Sequence, residues 1–164
     1  MQPIKYIGID CGLSGAIVEI VARNIVCKTQ MPTISNGKRR EIDIGTLVAM
    51  FEGWSLEACS VIIEDPGGHA PSAAGLRSMT YSFAIIKALT VRESLPHHTI
   101  GARKWQAAYW SKPAGKYDTK AAALKAASQI WPWETWTRND QCRKAFDGYV
   151  DAALIAEWGR RNNL

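Results

Sequence analysis

Apolar positions along the chain follow two rhythms, short continuous runs in the first part and helical spacing in most of the rest. Lys5-Tyr-Ile-Gly-Ile-Asp10 is a short apolar run that ends at Cys11-Gly-Leu-Ser-Gly15, which suits a buried strand closed by a turn. Residues 15–22 and 24–30 are rich in β-branched side chains and are expected to pair as a hairpin. Cys59-Ser-Val-Ile-Ile-Glu64 predicts a second buried strand, closed by Asp65-Pro66-Gly67-Gly68, and His98-Thr-Ile-Gly101 a further short one. Leu47, Val48, Phe51 and Trp54 recur at helical spacing behind Asp43, a suitable N-cap. From Ser72 to Glu93 the pattern predicts a long, largely apolar helix that stops before Pro96. Helices are also expected near 102–110, 118–130 and 146–161. Strands come first and helices cover the later chain, so the expected fold class is α/β, a mixed sheet flanked by helices. No repeat, low-complexity tract or linker divides the chain, and residues 1–164 are read as one domain.

Composition narrows the picture without changing it. Hydrophobic residues make up 47% of the chain and charged ones 21%, which fits a globular protein and excludes disorder. No apolar run approaches the roughly 20 residues that cross a bilayer, so no membrane partner is expected. The start of the chain enters an apolar strand directly, without the parts of a signal peptide, which points to the cytoplasm of a bacterium or of a phage-infected host. Cys11, Cys27, Cys59 and Cys142 form neither a C-x-x-C pair nor zinc spacing and are expected to be reduced and structural. Cys27 and Cys59 lie in apolar stretches, where a free thiol acts as a small hydrophobe.

Charge adds something new. Residues 1–96 carry nine Lys/Arg against nine Asp/Glu, whereas residues 97–164 carry eleven against six and hold the entire net charge of +5. A one-sided excess favours a polyanionic partner, since each neutralised phosphate releases counterions. On its own the signal is weak, because many basic domains bind no nucleic acid.

The acidic residues give it weight. Asp10 and Glu64 each finish an apolar strand, and ligands in α/β folds gather at the carboxyl ends of strands. Asp147 and Asp151 are four apart and share one face of the last predicted helix, beside Val150, Ala153, Leu154 and Ile155. Singly, each has a bland reading: a turn aspartate, a loop glutamate, a solvated helix face. Together, two strand-end carboxylates and a pair on an inward-packing helix call for a compensating cation. Mg²⁺ suits such hard oxygen ligands, with Mn²⁺ as a substitute, and metal-assisted phosphodiester cleavage is the chemistry this donor set supports.

Ile7-Gly-Ile-Asp10-Cys-Gly, Val61-Ile-Ile-Glu64-Asp-Pro and Asp147-Gly-Tyr-Val-Asp151-Ala-Ala-Leu-Ile-Ala stand in the order and approximate spacing of the RuvC-type Holliday junction resolvases, and the chain resembles their small phage and bacterial branch. Gly75-Leu-Arg-Ser-Met-Thr-Tyr-Ser-Phe83, Ala102-Arg-Lys-Trp-Gln106, Thr119-Lys120 and Ile130-Trp-Pro132 extend the resemblance over nearly the whole length. It implies an RNase H-like three-layer fold and a Mg²⁺-dependent homodimer that nicks a four-way DNA junction symmetrically. Asp10, Glu64, Asp147 and Asp151 would be the metal-binding quartet, and Lys120 would stand near the scissile phosphate. Many members space the last two ligands by three residues rather than four, which sets Asp147 apart from Asp151. The loop Gly67-Gly-His-Ala-Pro-Ser72 matches no pattern of the family.

Arg103, Lys104, Lys112, Lys116 and Lys120 are the candidate DNA contacts, interleaved with Trp105, Tyr109, Trp110 and Tyr117. Trp105 and Trp110 are expected in the core rather than against bases. His69, His97 and His98 lack metal spacing and receive no role. The homodimer is expected to form through the helix over 72–93, where Leu76, Met79, Phe83, Ile86 and Leu89 make one stripe while Tyr81, Ile85 and Ala88 extend past it. A sugar-kinase or actin-like ATPase shares Ile-Gly-Ile-Asp-x-Gly but needs a second nucleotide-binding half. A non-catalytic nucleic-acid-binding protein would not need four carboxylates. A less selective branched-DNA or RNA–DNA hybrid nuclease stays open.

Overall fold

The computed structural model describes residues 4–67, 72–111 and 117–164. Five strands form the main sheet: β1 (Lys5–Ile9), β2 (Ala16–Val21), β3 (Asn24–Gln30), β6 (Cys59–Asp65) and β7 (His97–Gly101), in the spatial order β3-β2-β1-β6-β7. β1 runs antiparallel to β2 and parallel to β6, and β6 runs parallel to β7. A small separate hairpin, β4 (Thr33–Asn36) with β5 (Arg39–Ile42), stands between the sheet's outer strands and the first helix in chain order.

Alternation along the central strands sorts the helices into two layers. Tyr6, Val18, Ile20 and Ile62 face a core shared with α3 (Ala102–Ala107), α4 (Thr119–Ile130) and α5 (Asp147–Arg161). Ile7, Ile9, Ile17, Val61 and Ile63 face the other core, closed by Leu47, Phe51 and Trp54 of α1 (Ile44–Trp54) and Ile86 and Leu89 of α2 (Ala73–Arg92). β1 and β6 are therefore covered on both faces, as their near-continuous apolar runs require.

One backbone approach sets the position of α5. A Cβ built on Gly8 would lie 2.0 Å from the Ala152 carbonyl oxygen and 2.5 Å from the Ala156 nitrogen, so the helix rests directly on the middle of β1.

Two expectations need correction, and one element was not foreseen. The predicted helix over 102–110 ends at Ala107, and the Tyr109 and Trp110 amides both donate to the Gln106 carbonyl in a closing turn. The β4–β5 hairpin was not expected, since all but Thr33 and Ile42 of its strand residues are exposed and no apolar alternation marks it. Cys27 is exposed on β3 and does not serve as a core residue, whereas Cys59 is buried; both are free thiols, as are Cys11 and Cys142. Among the described residues no helix is long and apolar enough to cross a membrane.

Candidate active site

The two strand-end carboxylates are neighbours by register. Ile9 pairs with Ile63 in the parallel β1–β6 ladder, so the next residues on, Asp10 and Glu64, stand side by side at the carboxyl ends of adjacent strands. Both lie on the face that carries Gly8 and Ile62, which is the face α5 covers. The tight turn after β1 is built around Asp10: Oδ1 accepts from the Gly12 amide at 3.2 Å, and the Asp10 amide donates to the Ala16 carbonyl at 3.0 Å. Gly15 is required there, because a Cβ would lie 2.2 Å from the Asp10 carbonyl oxygen. A Cβ on Gly148 would come within 2.9 Å of Ser14 and Gly15, so the first turn of α5 is seated on this loop. Asp147 and, one turn later, Asp151 are thereby brought to the ends of β1 and β6.

These groups lie within reach of one another's charge. Burial, the charges of Asp10 and Asp151 and that of Asp65 push Glu64 up to about 8, against one lowering contact from Trp105. Burial, with the charges of Asp10 and Asp147, pushes Asp151 up to about 8 despite Lys120. Asp10 is pushed up to about 6 by burial and by Asp147, against the Gly12 hydrogen bond. The neighbouring Cys11 thiol is also held well above its ordinary range by burial and by the charges of Asp10, Glu64 and Asp65. Such a set is short of positive charge.

Among the described residues the cation that pairs with the cluster is Lys120, on the first turn of α4, whose Nζ lies 2.5 Å from Asp147 Oδ2. This ion pair raises the Lys120 ammonium above its usual value and is largely exposed, so its contribution to stability is small. Trp105 is buried and its Nε1 donates to Glu64 Oε1 across a long 3.4 Å contact. The sequence identified Trp105 as core; its contact with Glu64 carried no sequence signal, because indole placement depends on how α3 leaves β7.

Among the described residues no group of three or more His, Cys, Asp or Glu side chains is arranged to hold a metal ion as it stands. The donors are nonetheless of the right kind, hard carboxylate oxygens repelling one another in a half-buried cleft. They fit a divalent cation in chemistry and would have to draw together to close around it.

The expected DNA contacts are scattered. Arg103 is exposed and lines a groove of about 470 Å³ that also includes Glu64, Asp65 and Gly67. Lys104 borders the same groove, but its ammonium lies over the Trp158 ring, 5.6 Å from the centroid, and leans toward the far part of α5. Lys112 and Lys116 lie outside the described residues, as does His69. Trp110 is partly buried against the core, as expected.

The sequence matches no protein-family model and no curated protein. Solved structures do share its architecture. A Thermus thermophilus RuvC in complex with a Holliday junction substrate aligns with a TM-score of 0.58, covering 97% of this chain and 96% of its own at 12% identity. A second Thermus thermophilus RuvC structure aligns with a TM-score of 0.53, covering 98% of this chain and 97% of its own, again at 12% identity. The likeness therefore runs from end to end of both chains, and this protein has the RNase H-like fold of the RuvC resolvases.

Proposed function

We propose that the chain is a divalent-metal-dependent endonuclease that resolves four-way DNA junctions by symmetric phosphodiester cleavage, acting as one nuclease domain per subunit of a homodimer. The observation that carries this reading is the convergence of four carboxylates from three separate elements at the ends of parallel strands, on a fold shared end to end with a junction-bound RuvC. A purely structural role for these groups would call for basic partners, and only Asp147 has one among the described residues.

Asp10, Glu64 and Asp151 are the groups that would hold the ion, with Asp147 as the fourth. When bound, Mg²⁺ (or Mn²⁺) supplies activation of a water and stabilisation of the leaving oxygen. The chain's own residues do the positioning. Trp105 restrains the Glu64 carboxylate, and the turn amide of Gly12 restrains Asp10. Lys120 sits at the rim of the cluster with one contact to Asp147 and high exposure, so it can shift to a phosphate oxygen entering the cleft. Arg103 and Lys104, with Lys112 and Lys116, would add sequence-independent backbone contacts.

The test is cleavage of labelled four-way junction, flap, linear duplex and RNA–DNA hybrid with Mg²⁺. Asp10→Asn and Glu64→Gln are expected to bind the junction as the parent does and to cut at least about a thousand-fold more slowly, since loss of a metal ligand disables chemistry more than phosphate contacts. Near-normal cleavage by either variant, or by the parent in a chelator, would sink the reading. Equal cutting of duplex or hybrid would replace junction specificity with a less selective nuclease.

A further inference from the structure

A second cleft, of about 430 Å³, opens beside Asp147, and among the described residues its lining includes neither Arg103, Lys104 nor Lys120. Its walls carry Arg138, Arg143 and Lys144 from the segment that leads into α5, with Ser14 of the turn after β1 on the other side. The three basic side chains are exposed, and none of them forms an ion pair among the described residues. The one carboxylate on the rim, Asp147, is engaged by Lys120. Three like charges within seven residues around one concavity repel one another until an anion enters.

The cleft is anchored rather than loose. The Arg138 guanidinium lies 4.2 Å from the centroid of the Phe146 ring, and Phe146 is the buried residue at the N-cap of α5. On the opposite wall, the turn that carries Ser14 is held by Arg40, which donates to the Leu13 carbonyl. That contact ties Arg40 of β5 to the same turn. A positive concavity thus runs directly into the edge of a carboxylate cluster, the arrangement that lets a polyanionic strand be held by its phosphates up to the point where it meets the acidic groups.

We propose that this cleft seats the backbone phosphates of the DNA strand next to the cut site, with Arg138, Arg143 and Lys144 as positioning contacts that hold the strand against Asp147. The assignment rests on the nuclease reading above and adds to it a phosphate track on the α5 side of the cluster.

The test compares junction binding in a chelator, across 50 to 200 mM salt, for the parent, Arg143→Ala with Lys144→Ala, and the same pair with Arg138→Gln. Each lost phosphate contact should flatten the slope of log affinity against log salt by about 0.9, so the triple variant should lose roughly forty-fold less affinity over that range than the parent. Arg143 and Lys144 are exposed, so the double variant reads charge rather than folding. Arg23→Ala, in the β2–β3 turn at the other end of the sheet, should leave the slope unchanged. A second readout uses Cys142, which also lines the cleft. In a Cys27→Ser background, a junction bearing an activated disulfide on a phosphate beside the cut site should react at its DNA-side sulfur with the Cys142 thiolate, expelling the small thiol and leaving a Cys142–DNA disulfide, and Cys142→Ser should abolish the adduct. A parent that cuts junctions while all slopes agree and no Cys142 adduct forms overturns the cleft alone. A parent that neither binds nor cuts the junction overturns the nuclease reading and the cleft together.

Discussion

At the scale of the residue, the acidic cluster holds like charges together at a cost in stability, and that cost has a sign. Asp10 is raised to about 6 and Glu64 and Asp151 to about 8, whereas in the unfolded chain all three return to roughly 4. Between those limits the folded state holds more protons than the unfolded one, so the cluster's contribution lowers stability as pH rises from about 4 to about 8. The protons belong to the cluster jointly, and the sum rather than any one group is what a melt reads. In a chelator at pH 8, Glu64→Gln and Asp151→Asn should each be more stable than the parent by an amount on the order of 2 kcal/mol, a difference that disappears below pH 4. Mg²⁺ should narrow the gap by stabilising the folded parent, because an ion bound only by the folded state raises its stability. Identical melting of parent and variants at pH 8 would show that these carboxylates do not repel one another. Asp43 and Glu157 are shifted the opposite way, Glu157 by Arg160 and Arg161 against its burial and Asp43 by its hydrogen bonds to Thr46, so their effects run counter to the cluster and cancel in the comparison with the parent.

At the scale of the element, α5 carries two of the four carboxylates, and Gly8 decides where it lies. Gly8→Ala would force the helix off β1, since the new methyl would meet backbone rather than a movable side chain. A loss of about 3 kcal/mol is expected in denaturant unfolding, and cleavage should fall as well because Asp147 and Asp151 move with the helix. Gly53→Ala, in an exposed turn of α1 with nothing within 4 Å of the new methyl, should instead stabilise by about 0.5–1 kcal/mol. Equal effects at the two glycines would mean that the close approach is not real. Helix starts were legible wherever a side chain caps them: Asp43 accepts from the Thr46 amide, Ser72 from that of Gly75 and Asp118 from those of Lys120 and Ala121. β1 and β6 were legible from their apolar runs, and with them the strand-end positions of Asp10 and Glu64. The β4–β5 hairpin was not, because an exposed ribbon such as Lys38-Arg39-Arg40 carries no burial pattern. The basic wall beside Asp147 escaped for a related reason: Arg138, Arg143 and Lys144 sit in irregular chain, and only the folding of that segment against the Ser14 turn makes them neighbours.

At the scale of the whole molecule, α2 is the element with surface to spare. Of its 20 residues only Ser82, Ile86, Leu89 and Thr90 are buried, while Tyr81 and Val91 are 57% and 62% exposed. Ala84 and Ala88 are exposed between them, and a shallow depression along Thr80, Ala84, Ala88 and Val91 follows the helix. Of the expected stripe, Ile86 and Leu89 are buried and Phe83 packs partly against the core, and Ile85, expected to extend past the stripe, packs partly against the same core instead. The opposite side is left as a narrow apolar strip along a helix roughly 30 Å long. Symmetric nicking of a four-way junction needs two active sites related by a two-fold axis, and a C₂ contact along this strip would supply one from each copy. Charge on Phe83 or Ile85 would confuse unfolding with dissociation, so the informative pair is Tyr81→Asp with Val91→Asp, both of which touch mainly solvent. In sedimentation the parent should be a dimer at micromolar concentration and the double variant a folded monomer, which melts in one cooperative step at a temperature that no longer rises with protein concentration. On a junction that monomer should make single, unpaired nicks, because its carboxylate cluster remains intact. A parent that sediments as a monomer even with junction DNA present would rule out paired cutting through α2.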